Sequence, residues 1–150
     1  MSQAPYRYTE CGLESVLIHG IVPHIDDEGD EVITIPHINA LHKVIAAALV
    51  QRPGLLTGKE IRFLRTEIGM TQAELAQLVH KEALSVGRWE RGEVLIDANA
   101  ETLLRLMVAQ RLDLNASTSV EAVSRLSVQT ANPPPIEIDG TDPNHYKQAA

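Results

Sequence analysis

The sequence predicts a mainly α-helical protein with a small N-terminal β element, an α+β fold. Three observations support this class. Residues 13–35 contain two short segments rich in Val, Ile and Leu around a carboxylate-rich stretch, which is typical of a small antiparallel sheet. Apolar residues then recur at helical spacing through most of residues 39–112. Two Thr-x-x-Glu capping boxes and several glycines divide this part into short helices.

Residues 1–52 are predicted to form a small α+β module that is suited to binding a partner. Its strands are "LESVLIHGIV" and "EVITI", expected to pair as a hairpin or small sheet, and "PHIDDEGDE" between them is expected to be a loop. The helix "NALHKVIAAALVQ" follows, with Asn39 as a possible N-cap and Pro53 ending it. The acidic block at 26–31 is either a patch for a basic partner or, more commonly for such a run, a solvated loop.

Residues 55–128 are predicted to form a domain of five helices. The first two helices begin with capping boxes, and glycines stand where helix ends favour positive φ; these residues are Thr57 with Glu60, Thr71 with Glu74, and Gly69 and Gly92. A fourth helix carries Leu103, Leu104 and Met107 on one face, and Thr118 with Glu121 would cap a weaker fifth.

Residues 129–150 are predicted to be a flexible tail. They contain four prolines and few apolar side chains, so they offer little to bury, and "IEI" is at most an edge strand. The length of 150 residues and the 44% hydrophobic content allow one core and an accessory module. The sequence has no run of signal or membrane-span length, which leads us to expect a cytoplasmic protein without a membrane partner.

Residues 71–92 read "TQAELAQLVHKEALSVGRWERG". The "TQAELA" opening, the nineteen residues from Thr71 to Trp89 and the closing "RWERG" resemble the helix-turn-helix of the Xre family, the Cro and phage-repressor type. The resemblance implies that a recognition helix at about 83–90 enters the major groove of double-stranded DNA, with Val86 and Trp89 facing inward. It also implies that Arg65 and Glu90 form a structural ion pair between the first and third helices.

The chemistry of the outward side chains, combined with this resemblance, predicts the DNA contacts. Arg88 carries a donor fork suited to guanine O6 and N7, a contact worth roughly 1–3 kcal/mol of discrimination. The alternative for Arg88 is a solvated residue or a partner of a nearby glutamate, and for Gln72 a good first-turn residue. The other expected contacts are to a base or phosphate from Ser85, to thymine methyl groups from Ala83 and Leu84, and to phosphates from Gln72, Lys81 and Arg91.

The turn of this segment departs from the family pattern. His80 stands where glycine is usual, so it must accept positive φ or the turn must change shape. Lys81 stands where an apolar residue is usual. Glu82 replaces a Ser or Thr cap, which would point a carboxylate toward phosphates.

Charge is distributed unevenly along the chain, whose formal net charge is -7. The segment from Arg52 to Arg91 has seven basic and five acidic side chains, a net +2 that leaves -9 for the rest. Because a duplex feels the local field of the docking face, the acidic total does not exclude DNA binding.

Over about residues 6–112 the chain has "YTECG", short strands, a helix and then "LTGKEIRFLRTEIGMTQAELA". This order resembles proteins grouped with MqsA-type antitoxins, in which a small N-terminal module is joined to an Xre domain. This resemblance implies a homodimer that binds a palindromic operator and represses its own transcription unit, with antitoxin activity through the N-terminal module as the alternative main function. Zinc-bearing members use two Cys pairs, whereas this chain has only Cys11, followed by the matching Gly12, so no metal or cofactor is predicted. The spacings of four histidines fit no standard metal site, and such residues are more often scattered over the surface: His19, His24, His37 and His42.

The sequence leaves the position of the dimer contact open. Dimer contacts are sought near 103–112 and 120–126, although the first of these segments serves equally well to close the helical core. No nucleophile and base pair, phosphate loop or metal spacing stands out, so an enzyme is not expected.

Overall fold

The computed structural model describes residues 4–114, 119–128 and 133–149, which form an α+β fold. The helices in these ranges are α1 Ile38–Gln51, α2 Gly58–Glu67, α3 Gln72–Leu78, α4 Ala83–Glu90, α5 Ala98–Arg111 and α6 Val120–Ser124. The strands are β1 Tyr6–Arg7, β2 Val16–His19, β3 His24–Ile25, β4 Glu31–Val32, β5 Ile136–Asp139 and β6 Lys147–Gln148. No described helix combines the length and apolar character needed to cross a bilayer.

A four-stranded sheet has the order β1-β2-β5-β6. Its two central strands are parallel, with Val16 opposite Ile136 and Ile18 opposite Ile138, and each outer strand is antiparallel to its neighbour. These four side chains are buried, because alternate residues of a strand point to the same face. The sheet contacts α1 through β5 and β6, and its buried residues belong to the same core cluster as those of the helices.

The predicted pairing of the two N-terminal strands is wrong. Both edges of β2 are occupied, by β1 and by β5, while β4 pairs with β3 in a separate two-stranded hairpin around the acidic block. The loop that the sequence predicts at 23–31 contains β3 and the first residue of β4. No residue from 21 to 36 is fully buried, so this hairpin has no core of its own and follows no burial pattern that would reveal its pairing.

The prediction of a flexible C-terminal tail is wrong for residues 136–148. Strand β5 lies inside the sheet and is not an edge strand. Ile136, Ile138 and Tyr146 are buried, and the Tyr146 hydroxyl donates to the Pro36 carbonyl at 2.7 Å. A strand with partners on both edges satisfies its backbone groups there, so two buried isoleucines are enough to place it even though the segment is poor in apolar residues.

Most predicted helix boundaries of the central segment are confirmed. The side chains of Thr57 and Thr71 accept from the backbone N–H of the glutamate three residues on, and each glutamate bonds back to the threonine N–H, so both capping boxes are present. Gly69 and Gly92 have φ of 70° and 75°, as a helix end of this type requires.

Two predicted helix starts and one predicted helix face differ from the structure. The N-cap of α1 is His37, with φ of 57° and no side-chain cap bond, whereas Asn39 lies inside the helix. Helix α6 is capped by Ser119, and the predicted cap Thr118 lies outside the described residues. In α5, Leu104 and Val108 are buried but Leu103 is 43% exposed, because polar residues occupy part of the inner face.

That inner face of α5 carries a buried ion pair that the sequence reading missed. Arg105 and Glu101 are both 0% exposed, and the Arg105 Nε donates to Glu101 Oε1 at 2.9 Å. Glu101 also accepts from the Leu56 N–H and the Ser127 hydroxyl. The Nη atoms of Arg105 donate to four backbone carbonyls at 2.6–3.2 Å. Leu49 and Val50 are in the last turn of α1, and Arg52 and Gly54 follow it.

A second polar link joins the sheet side of the molecule to the helices. The Tyr8 hydroxyl lies 2.7 Å from His42 Nε2, and His42 Nδ1 lies 2.8 Å from Glu67 Oε1. This chain connects the segment after β1 to α1 and to the end of α2. Burial raises the pKa of Tyr8 to about 12, because the charged phenolate would lose its hydration there.

We predict that Arg105→Met lowers the free energy of unfolding by about 3–5 kcal/mol, because it leaves the Glu101 carboxylate buried without its partner. Urea denaturation followed by circular dichroism measures this loss. Arg111→Met removes an exposed arginine from the same helix and should change the free energy by less than about 0.5 kcal/mol. Equal effects of the two substitutions would contradict the prediction.

Candidate nucleic-acid interface

Helices α3 and α4 are joined by a four-residue turn at 79–82. His80 occupies the left-handed region with φ of 58°, the Lys81 N–H donates to the Ala76 carbonyl at 2.8 Å, and the His80 N–H donates to Gln77. This is the hydrogen-bond pattern of a Schellman motif, usually built on glycine. The turn therefore keeps its shape, and His80 accepts the positive φ.

The recognition-helix candidate α4 has one buried and one exposed face. Val86 is 0% and Trp89 6% exposed, as predicted. On the other face Ala83, Leu84 and Arg88 are exposed, and Ser85 is half-buried. Glu82 is the N-cap residue of this helix but makes no side-chain cap bond, so its carboxylate is left in solvent at the start of the exposed face.

Arg65 and Glu90 are joined by two parallel hydrogen bonds. The Arg65 Nε donates to Glu90 Oε2 at 2.6 Å and Nη2 to Oε1 at 2.9 Å, while Nη1 donates to the Met70 carbonyl. The bond to Glu90 raises the pKa of Arg65. The Gln72 amide also donates to Glu90, at 3.1 Å. The structure thus places Gln72 in the pair that connects α2, α3 and α4, and this contact occupies part of its amide.

The predicted phosphate contacts Lys81 and Arg91 each have a carboxylate partner. Lys81 Nζ lies 3.4 Å from Asp97 Oδ2, and the Arg91 Nε is bonded to Glu93, with all four side chains substantially exposed. Arg88, in contrast, has no ion-pair partner among the described residues. Surface ion pairs of this kind contribute little to stability and are weakened by salt, so Lys81 and Arg91 remain able to exchange partners.

A cleft beside the N-terminal end of α3 contains residues that the sequence analysis did not assign to DNA. The cleft, here called the arginine cleft, has a volume of about 260 Å³ and is lined by Arg62, Arg65, Gln72, Gly87, Glu90 and Arg91. Arg62 is exposed on α2, three residues before Arg65. That spacing was the only signal in the sequence, because the convergence of Arg62 with Arg91 depends on how α2 packs against α4.

The packing of α2 on α4 is close at the first residue of α2. A Cβ on Gly58 would lie 2.4 Å from the Trp89 carbonyl oxygen and 2.5 Å from that of Glu90. These are backbone atoms of the last turn of α4, so a larger residue requires the two helices to separate. Gly58 therefore fixes the distance between Arg62 on one helix and Arg91 beyond the end of the other.

Comparison of the chain with protein-family models, with curated proteins and with solved structures gave no match.

The histidines of the N-terminal half do not gather into one site. His19 contacts Glu137, His24 lies 3.4 Å from the Thr34 hydroxyl, and His42 lies between Tyr8 and Glu67. In the ranges 4–114, 119–128 and 133–149, no three His, Cys, Asp or Glu side chains are grouped as metal ligands.

We predict that His80→Gly raises the free energy of unfolding by about 1 kcal/mol, because glycine removes the Cβ that disfavours positive φ. Guanidinium denaturation measures the gain. His80→Ala keeps a Cβ at the same exposed position and should give no gain. If alanine and glycine stabilise the protein equally, the turn is not strained at this residue.

Proposed function

We propose that the protein is a sequence-specific DNA-binding transcriptional regulator with an Xre-type helix-turn-helix, which binds a palindromic operator as a homodimer and represses its own transcription unit. The observation that carries this proposal is the exposed face of α4. It combines apolar Ala83 and Leu84 with Arg88, whose guanidinium has no acidic partner in the described ranges. An arginine in this state can bond bidentately to guanine without first breaking an ion pair.

The dimensions of the two short helices support the same function. An α-helix with its side chains is about 10–12 Å across, so the eight-residue α4 fits a major groove that is about 12 Å wide. The Arg65–Glu90 pair and the Gln72 amide hold α4 against α2 and α3, so the exposed side chains project from a fixed frame. A fixed frame reduces the conformational entropy that binding has to overcome.

The acidic partners around this face limit its affinity for any duplex. Asp97 and Glu93 compete with phosphates for Lys81 and Arg91, and Glu82 adds a repelling charge. A single short helix also reads few bases, whereas two copies related by a dyad reach half-sites about 34 Å apart. The exposed Leu103 and Val120, 43% and 60% exposed, are available for contact between copies.

We predict that Arg88→Ala loses about 1–3 kcal/mol of discrimination between the DNA upstream of the protein's own gene and a random duplex. Mobility-shift titrations at two salt concentrations measure it, and wild-type affinity should fall as salt rises. Arg7→Ala removes the same charge from an exposed position on β1 and should leave the discrimination unchanged. Equal wild-type affinity for both duplexes would reject the proposal.

A second candidate function, binding of a basic partner protein as an antitoxin does, is favoured by the β3–β4 hairpin. Val22 and Ile25 are 73% and 65% exposed, and Ile33 is 39% exposed, on a hairpin without buried residues. Four carboxylates lie between its strands, at residues 26–30, and Glu31 at the start of β4 adds a fifth. Apolar side chains next to uniform negative charge suit a basic protein surface with an apolar centre.

We predict that the product of an adjacent reading frame, if it is small and basic, co-purifies with the protein and that Ile25→Ser abolishes the complex. The substitution removes apolar contact from the hairpin without changing its charge. Leu95→Ser, at an equally exposed position between α4 and α5, is the matched control and should leave the complex intact. Retention of the complex by the Ile25 variant would place the partner elsewhere.

A further inference from the structure

Gly87 lies in the interior of α4, where neither backbone conformation nor core packing requires glycine. Its φ is not in the left-handed region. A Cβ at this position would lie 3.1 Å from Arg91 Nη1 and 3.6 Å from Gln72 Oε1, both of them ends of flexible side chains, and none of its three nearest atoms belongs to the apolar core. Because glycine in a helix interior is destabilising relative to alanine, the missing methyl group calls for another explanation.

The arginine cleft, which Gly87 lines, has an excess of positive charge. Three guanidinium groups and one carboxylate surround it. The carboxylate of Glu90 is fully engaged, by Arg65 on both oxygens and by Gln72 on one, and Arg65 in turn uses Nε, Nη1 and Nη2. Within the described ranges neither Arg62 nor the Nη atoms of Arg91 form a hydrogen bond or ion pair, so these guanidinium donors are open to a ligand.

The cleft borders the exposed face of α4. Leu84, Gly87, Arg88 and Arg91 follow one another at i, i+3, i+4 and i+7, so they form one stripe along the helix. When a helix of this kind lies in the major groove, the sugar-phosphate backbone passes along its flank, and guanidinium groups match phosphate oxygens in charge and geometry.

We propose that the arginine cleft holds one backbone phosphate of the bound duplex, with Arg62 and Arg91 as donors, and that Gly87 keeps the space above its Cα open for that phosphate. This inference rests on the proposed function. It adds Arg62 and Gly87 to the DNA-binding residues and gives both a role that is independent of base sequence. A methyl group at position 87 displaces the Arg91 guanidinium and occupies part of the phosphate position.

The test compares Arg62→Gln and Gly87→Ala with wild type, using anisotropy of a labelled duplex from upstream of the gene, at several salt concentrations. Arg62→Gln should reduce the slope of log K against log salt by about 0.9, the value for one phosphate contact, on this duplex and on a random one. Gly87→Ala should raise Tm by about 2–4 °C and yet weaken binding at least threefold. Arg7→Gln removes an exposed charge on β1, outside the proposed DNA-binding and dimer residues, and should leave the slope unchanged.

The outcomes separate this inference from the proposed function. If the Arg62 variant keeps the wild-type slope, or the Gly87 variant is more stable and binds as tightly as wild type, the cleft does not hold a phosphate, although the regulator proposal stands. If wild type binds both duplexes equally, sequence specificity fails and the salt slopes still decide on the cleft. If wild type binds neither duplex, both proposals fail. Stabilisation by inorganic phosphate at millimolar concentration, lost in Arg62→Gln, in a protein that binds no duplex would assign the cleft to a free anion.

Discussion

The guanidinium of Arg105 must be hydrogen-bonded inside the protein, because no water reaches it, and that requirement fixes how the two halves of the chain meet. Desolvation lowers the pKa of this arginine, and the neighbouring Glu101 carboxylate opposes that shift. Four backbone carbonyls, at the end of α1 and just after it, accept hydrogen bonds from the Arg105 guanidinium. Helix α1 packs against the sheet, and α5 packs against α1 and α6. The position of α1 relative to α5 therefore depends on Arg105, whose hydrogen bonds can be satisfied in few other arrangements.

The Arg65–Glu90 pair does for the exposed side of the helical part what Arg105 does for its interior. Both arginines donate hydrogen bonds from all three of their nitrogen atoms, and both link segments that are distant in sequence. Arg88 and Arg62 are the opposite case, with exposed guanidinium groups and no carboxylate partner in the part of the chain that the structure describes. Some arginines of this chain thus connect its segments, and others are exposed and can contact a ligand. Only the burial and the hydrogen-bond partners of each side chain distinguish the two roles.

Local signals in the sequence predicted the helices well, since a capping box or a glycine with positive φ acts within a few residues. Thr57, Thr71 and Gly92 are examples. The sheet was not predictable in this way. Ile136 pairs with Val16, which is separated from it by most of the sequence, and no local pattern near either residue indicates this pairing. Arg105 was missed because its spacing fits a solvated helix face as well as a buried one. In the candidate site, the faces of Val86 and Trp89 followed from helical periodicity, whereas the arginine cleft required the packing of α2 on α4.

The parallel pairing of β2 with β5 has a consequence for the order in which the protein can be completed during synthesis. One edge of β2 has no partner until residues 136–139 have left the ribosome, by which time every helix of the described chain has already emerged. Until then Val16 and Ile18 belong to a two-stranded ribbon with an open hydrogen-bonding edge, the kind of surface that pairs with other chains. We therefore expect the nascent N-terminal half to be prone to aggregation until β5 pairs with the open edge of β2.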